Sequence, residues 1–217
     1  MTTTAVDEMS SLDDEGRPGE SAEPARRFGA GRAYALLLVI TGALGILAAA
    51  VITLDKEELL TNPNYHPACS LNPVVSCTDV MKSWQAGVFG FPNPLAGLVT
   101  FGCVVGIGMG LLAGARYARW YWIGLNTGTL LGTAFCTWLM IQALYDINAL
   151  CLWCCLTWAV TIAMFWYTTV HNIKHGILRV PAGVRSAVVE FHWVVPVLWY
   201  ALIGLLILTN WWSFWTS

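Results

Sequence analysis

The sequence predicts an all-α, polytopic membrane protein: a four-helix transmembrane bundle, a fifth transmembrane helix beside it, and an outer loop carrying a short interfacial helix. Three observations predict this class. Hydrophobic residues make up 57% of the 217 and charged ones only 11%, with mean hydropathy +0.61, where a soluble domain carries roughly 25% charge. The apolar residues gather into five segments, each close to the ~20 residues that cross a bilayer as a helix. Basic residues alternate between dense and sparse loops, the asymmetry that orients helices in a membrane.

Residues 1–30 form an acidic tail with Asp7, Glu8, Asp13, Asp14, Glu15, Glu20 and Glu23 and almost no bulky apolar side chain. Such a segment buries too little to offset chain entropy and is expected to be disordered. The first apolar run is long and lies well inside the chain, which argues against a cleaved secretory signal. The four-helix domain occupies 31–171, with spans at about 33–54, 94–115, 120–145 and 150–170 and a long outer loop at 55–93. A basic loop, 172–192, leads to the fifth helix within 193–217.

Arg26, Arg27 and Arg32 precede span one, Arg116 and Arg119 separate spans two and three, and Lys174, Arg179 and Arg185 separate spans four and five. The opposite loops hold only Lys56 and Lys82. This places the N-terminus in the cytoplasm and the loops 55–93 and 146–149 outside.

Within the spans, Gly124, Gly128 and Gly132, like Gly106 and Gly110, form small-residue faces that favour tight helix packing. Short connections after spans two and three imply antiparallel neighbours. Asn126 and Gln142 read as helix–helix hydrogen-bonding groups. Ionisable residues, Asp146 and Glu190, stand only at span ends, which argues against a transporter. In the outer loop, Val80, Met81, Trp84, Val88 and Phe89 recur at helical spacing. Ser76 is placed to cap that helix with Asp79 three residues on, and Gly90, Pro92 and Pro94 end it.

Chemistry is concentrated in the cysteines. Cys151-Leu152-Trp153-Cys154 opens span four, so both thiols project from one face of a first helical turn. The helix dipole there favours thiolate. Cys69 and Cys77 lie in the loop that faces the same, disulfide-permissive side. Together the four suggest electron transfer between aqueous thiols and something dissolved in lipid. Two other readings compete: a zinc site held by all four cysteines, though its pairs are normally closely spaced, and static staples of a non-enzymatic membrane scaffold, which need no helix-head pair. Cys103, Cys136 and Cys155 read as packed, inert residues.

Taken in order, Cys69-(x)7-Cys77, Ser83, the Phe-Gly-Phe-Pro-Asn-Pro stretch at 89–94 and Cys151-x-x-Cys154 resemble the vitamin K epoxide reductase family, in particular its bacterial homologues. The likeness covers most of 33–170. It implies a four-helix bundle around a quinone, with Cys69 and Cys77 as a shuttle pair and Cys151 and Cys154 as the active-site pair. It also implies that Asn93 hydrogen-bonds a quinone oxygen and that Ser83 lies near the active site; Phe91 and Trp158 are further candidates for the ring's surroundings, Trp158 reading nearly as well as plain packing. Trp158 stands where animal members carry tyrosine, which weakens vitamin K epoxide as substrate; reduction of vitamin K remains the alternative activity. Few residues follow Phe214, so the thiol partner is expected to be a separate extracytoplasmic thioredoxin-fold (DsbA-type) protein. A DsbA-type oxidant has a potential of about -120 mV and needs a comparably oxidising acceptor. With no Cys-x-x-Cys-His and no Gly-x-Gly-x-x-Gly after a strand, a membrane quinone, menaquinone or ubiquinone, is the expected acceptor. No metal and no nucleic acid is expected. The expected location is the bacterial cytoplasmic membrane, multi-pass, with the active site outward.

Overall fold

The computed structural model describes residues 27–62, 64–72 and 74–216; the acidic tail expected to be disordered falls, for residues 1–26, outside them. The elements are α1 (Arg32–Thr61), α2 (Cys77–Lys82), α3 (Asn93–Leu112), α4 (Arg119–Gln142), α5 (Leu152–Lys174), α6 (Ala182–Glu190), α7 (Val194–Asn210) and α8 (Trp212–Thr216). A two-residue antiparallel pairing joins β1 (Arg27–Phe28) to β2 (Tyr117–Ala118). Helices α1, α3, α5, and α4 with its extension through Ile147, are long and apolar enough to cross a membrane. A fifth crossing results if α6 and α7, bent by 64°, count as one span. The all-α polytopic class is the one predicted.

Local sequence sets the helix ends. Lys56, Glu57, Glu58, Leu59 and Leu60 are good helix formers, so α1 runs on to Thr61 through residues expected in the loop. It stops at Asn62, which is extended at φ -125°, as the residue before Pro63 should be. The far end of α4 widens into a π turn, Ala143–Ile147, closed by Asn148 at a left-handed φ of 53°. Asparagine tolerates that conformation, and the reversal delivers the chain to the head of α5.

Helix α1 packs along α3 and α5, and α5 along α4. The expectation that α3 and α4 pair because their connection is short is not met; α3 leans on α1 instead. Glycines explain the choice. A Cβ added at Gly45 would lie 2.5 Å from the Phe101 ring, one at Gly42 2.7 Å from Val105, and one at Gly108 2.8 Å from Val39. Missing side chains thus bring α1 and α3 together. The glycines singled out from the sequence behave differently: Gly106, Gly124 and Gly128 face open space, Gly132 makes an ordinary 3.5 Å approach to Thr161, and Gly110 sits under the Tyr117 hydroxyl. A four-residue stripe marks a small face but not which helix it meets. Accordingly, Gly45→Val is expected to lower stability by about 1–3 kcal/mol through overpacking, and Gly124→Val by well under half of that. Thermal unfolding in detergent checks both.

The end away from the Cys-x-x-Cys pair is held by polar groups. Buried Asn172 on α5 donates to the Trp122 carbonyl and to Asn126 Oδ1, both at 3.1 Å, the interhelical role read for Asn126. Trp122, wholly buried, donates to the Phe28 carbonyl and so ties β1 to α4.

At the cysteine end, Ser76 caps α2 by accepting from the Asp79 N–H at 3.3 Å, as expected. The single amphipathic helix expected there is broken. Ser83 turns extended and its Oγ donates to the Val80 carbonyl at 2.7 Å, a local bond that competes with helix continuation. The chain resumes as a 3-10 turn at Trp84–Gly87 and is stopped by Gly90 at φ 81°.

Candidate functional site

The loop carrying Cys69 and Cys77 is stitched to the segment just before Cys151. Ser76 N–H donates to the Leu150 carbonyl at 3.0 Å and Leu150 N–H to the Val74 carbonyl at 2.7 Å, a short parallel bridge. Backbone bonds of this kind fix the two segments in register, so Cys77, next after Ser76, and Cys151, next after Leu150, are forced side by side. Their sulfurs are 3.2 Å apart. Cys77 is bonded to Cys69, with Cα atoms 5.7 Å apart, while Cys151 and Cys154 are thiols. Ile52, Met81 and these cysteines form one buried cluster, with Cys154 and Trp153 packed against it.

Exposure is graded along the sulfurs. Cys69 keeps 6% of its surface, Cys151 1% and Cys77 none. Cys151 precedes α5 as its N-cap, outside the span. A hydrogen bond from the Cys154 thiol holds its thiol below the ordinary cysteine value, opposed by burial. A thiolate this close to a disulfide sulfur can attack it, breaking Cys69–Cys77, forming Cys77–Cys151 and releasing Cys69 as thiolate. The reverse exchange is equally available.

Of the other cysteines, Cys136 is buried, Cys155 partly so, and Cys103 exposed; Cys136 packs with Trp158. The Cys69–Cys77 bond takes two sulfurs out of the thiolate set that a four-cysteine zinc site needs. Among the described residues, no group of three His, Cys, Asp or Glu converges as metal ligands.

The four residues expected around a quinone stand on different elements. Asn93 opens α3, and its Nδ2 donates to the Gln85 carbonyl at 2.7 Å while its Oδ1 is buried without a partner. Ser83 lines a groove between the end of α1 and α2. Phe91 is exposed and stacks on Phe89, which leads through Phe135 to Trp138 on α4. Trp158, 4% exposed, sits instead in the cluster of Met140, Leu144 and Trp211 against which Cys154 also packs.

Sequence reading missed Gln85. It is 2% exposed, and its Nε2 donates to Gln142 Oε1 at 3.3 Å and to Asp146 Oδ2, fastening the loop to α4. The signal was present: Gln142 and Asp146 stand four apart on one helix face, and Gln85 is the one amide beside the loop's apolar stripe.

Apolar helices that cross a membrane, with a loop disulfide in sulfur contact with a Cys-x-x-Cys pair at the head of one of them, define a membrane-embedded thiol–disulfide oxidoreductase. The family model of the vitamin K epoxide reductase family matches residues 36–169, which include all four of these cysteines, and the chain belongs to that family. No curated protein matches the chain. Membership makes it, in general terms, a multi-pass membrane oxidoreductase that links disulfides to quinone.

Proposed function

We propose that the protein reoxidises a separate, extracytoplasmic thioredoxin-fold protein of DsbA type and passes the electrons to membrane menaquinone or ubiquinone, so sustaining disulfide formation. In this reading it lies in a bacterial cytoplasmic membrane with its cysteine end outward. The observation that carries the proposal is the 3.2 Å approach of Cys77 to Cys151, which supports a continuous sulfur path.

A carrier thiolate attacks Cys69, the more exposed sulfur of the loop pair, and Cys77 leaves as thiolate. The carrier's second thiol attacks the mixed disulfide, so the carrier departs oxidised and Cys69 is left as a thiol. Cys77 then attacks Cys151 of the Cys151–Cys154 disulfide, giving Cys77–Cys151 and freeing Cys154. Cys69 closes back on Cys77 and releases Cys151. The outcome is Cys69–Cys77 oxidised and Cys151 and Cys154 reduced. A bound quinone would supply the two-electron, two-proton sink, while Cys151 and Cys154 give up one electron pair and close their disulfide.

Asn93 fits such a ligand. Its second amide hydrogen can donate to a quinone oxygen, and its unpartnered buried Oδ1 can accept from a quinol hydroxyl; leaving that atom unpaired costs about 1–3 kcal/mol. Trp158 belongs to the buried cluster against which Cys154 packs and contributes apolar wall.

The test is anaerobic turnover of the purified protein with excess reduced carrier and a soluble quinone, followed by quinol absorbance. Catalytic quinol formation is expected. Absence of turnover across several quinones, with the four cysteines unchanged, overturns the proposal.

A further inference from the structure

Among the described residues, the cysteine end of the molecule has only two Lys or Arg side chains, Lys56 and Lys82, 26 positions apart in sequence. Both line the same groove, of about 500 Å³, between the end of α1 and α2. Its apolar surface comes from Leu59, Leu60, Met81 and Trp84, of which Leu60 is 78% and Trp84 67% exposed. Met81 and Leu59 belong equally to the cluster around Cys69, Cys77 and Cys151, so the groove adjoins the loop disulfide. Among the described residues neither lysine's ammonium group makes a hydrogen bond or ion pair. Carboxylates surround them in sequence, at Asp55, Glu57, Glu58 and Asp79. An otherwise acidic face thus concentrates its positive charge on one apolar groove beside the sulfur that takes up electrons.

We propose that this groove is the docking surface for the thiol carrier, which seats an apolar side chain between Leu60 and Trp84 and sets carboxylates against Lys56 and Lys82. This rests on the thiol-carrier function proposed above and adds to it the chemistry by which the carrier is recognised. Charge complementarity at a rim acts mainly on encounter and orientation, so the lysines govern how often the carrier reaches Cys69, not the exchange that follows.

The test compares two electron donors on the full-length protein: a reduced DsbA-type carrier with carboxylates beside its reactive cysteine, and dithiothreitol, which needs no docking surface. In Lys56→Glu/Lys82→Glu, kcat/KM for the carrier is expected to fall at least ~10-fold, chiefly through KM, with dithiothreitol turnover held within ~2-fold. Added salt should slow the carrier reaction of the wild type and leave that of the variant nearly flat. The milder Lys56→Gln/Lys82→Gln should fall between. Carrier kinetics unchanged in the charge-reversal variant, with dithiothreitol turnover intact, overturns the docking surface but not the oxidoreductase. Equal loss with both donors, or a change in quinone KM in place of carrier KM, overturns it too by assigning the groove to the fold or to the quinone. Failure of the wild type with dithiothreitol and quinone would instead bring down the parent reading.

Discussion

Cys154→Ala is expected to reduce quinol formation to background, a loss on the order of a thousandfold or more, as for removal of a group that acts as part of a catalytic unit. Cys151 is the N-cap of α5 and Cys154 stands in its first turn, both as thiols, and no electron pair leaves them as a closed disulfide if one sulfur is absent. The loss is accompanied by a second, positive sign. With Cys154 gone, the sulfur in contact with Cys151 is Cys77, 3.2 Å away, so oxidation should accumulate the Cys77–Cys151 cross-link. Non-reducing peptide mass mapping detects it. A variant that turns over normally, or that pairs Cys151 with some other cysteine, would refute the sulfur path. Because Cys154 is a small side chain only partly buried between two clusters, alanine should leave the bundle folded; unchanged thermal unfolding is the control.

How far the sequence announced this arrangement depends on the range of the interaction involved. Cys151 and Cys154 were legible because three-residue spacing and a helix head are local properties, and Cys151 does cap α5. Ser76 was legible for the same reason. The break at Ser83 was not, since hydrophobic periodicity runs through it; a single hydroxyl bond to Val80 outweighs the apolar stripe. The glycine seam was misassigned because close approach is a property of two helices. Gly42 and Gly45 meet bulky Val105 and Phe101, whereas Gly124 and Gly128 meet nothing, and one strand of sequence shows no partner face. The contact of Cys77 with Cys151 depends on the bridge between Val75 and Leu150, 75 positions apart, for which neither segment carries a periodic signal. Gln85 went unread because an amide gains meaning only from Gln142 and Asp146 across the fold.

Cys77→Ala separates the two thiol pairs and should do so asymmetrically. Cys77 is fully buried, bonded to Cys69 and in contact with Cys151, so it is the one sulfur that touches both halves of the path. Its removal leaves Cys69 a lone thiol, with no disulfide for the carrier to attack and no way to pass electrons inward. Carrier-driven turnover is expected to fall on the order of a thousandfold, comparable to loss of any other obligatory nucleophile. The inner pair should remain competent. After exhaustive chemical reduction and removal of reductant, Cys77→Ala should still yield one equivalent of quinol in a single turnover, at a rate within ~10-fold of the wild type, because Cys151 and Cys154 alone complete that step. Two results would break this order of events. Undiminished carrier-driven turnover would mean that the carrier reaches Cys151 directly, which its 1% exposure argues against. Loss of the single turnover as well, in a variant whose thermal unfolding is intact, would make Cys77 part of the quinone-reducing step itself and move the loop disulfide from the entrance of the path to its exit.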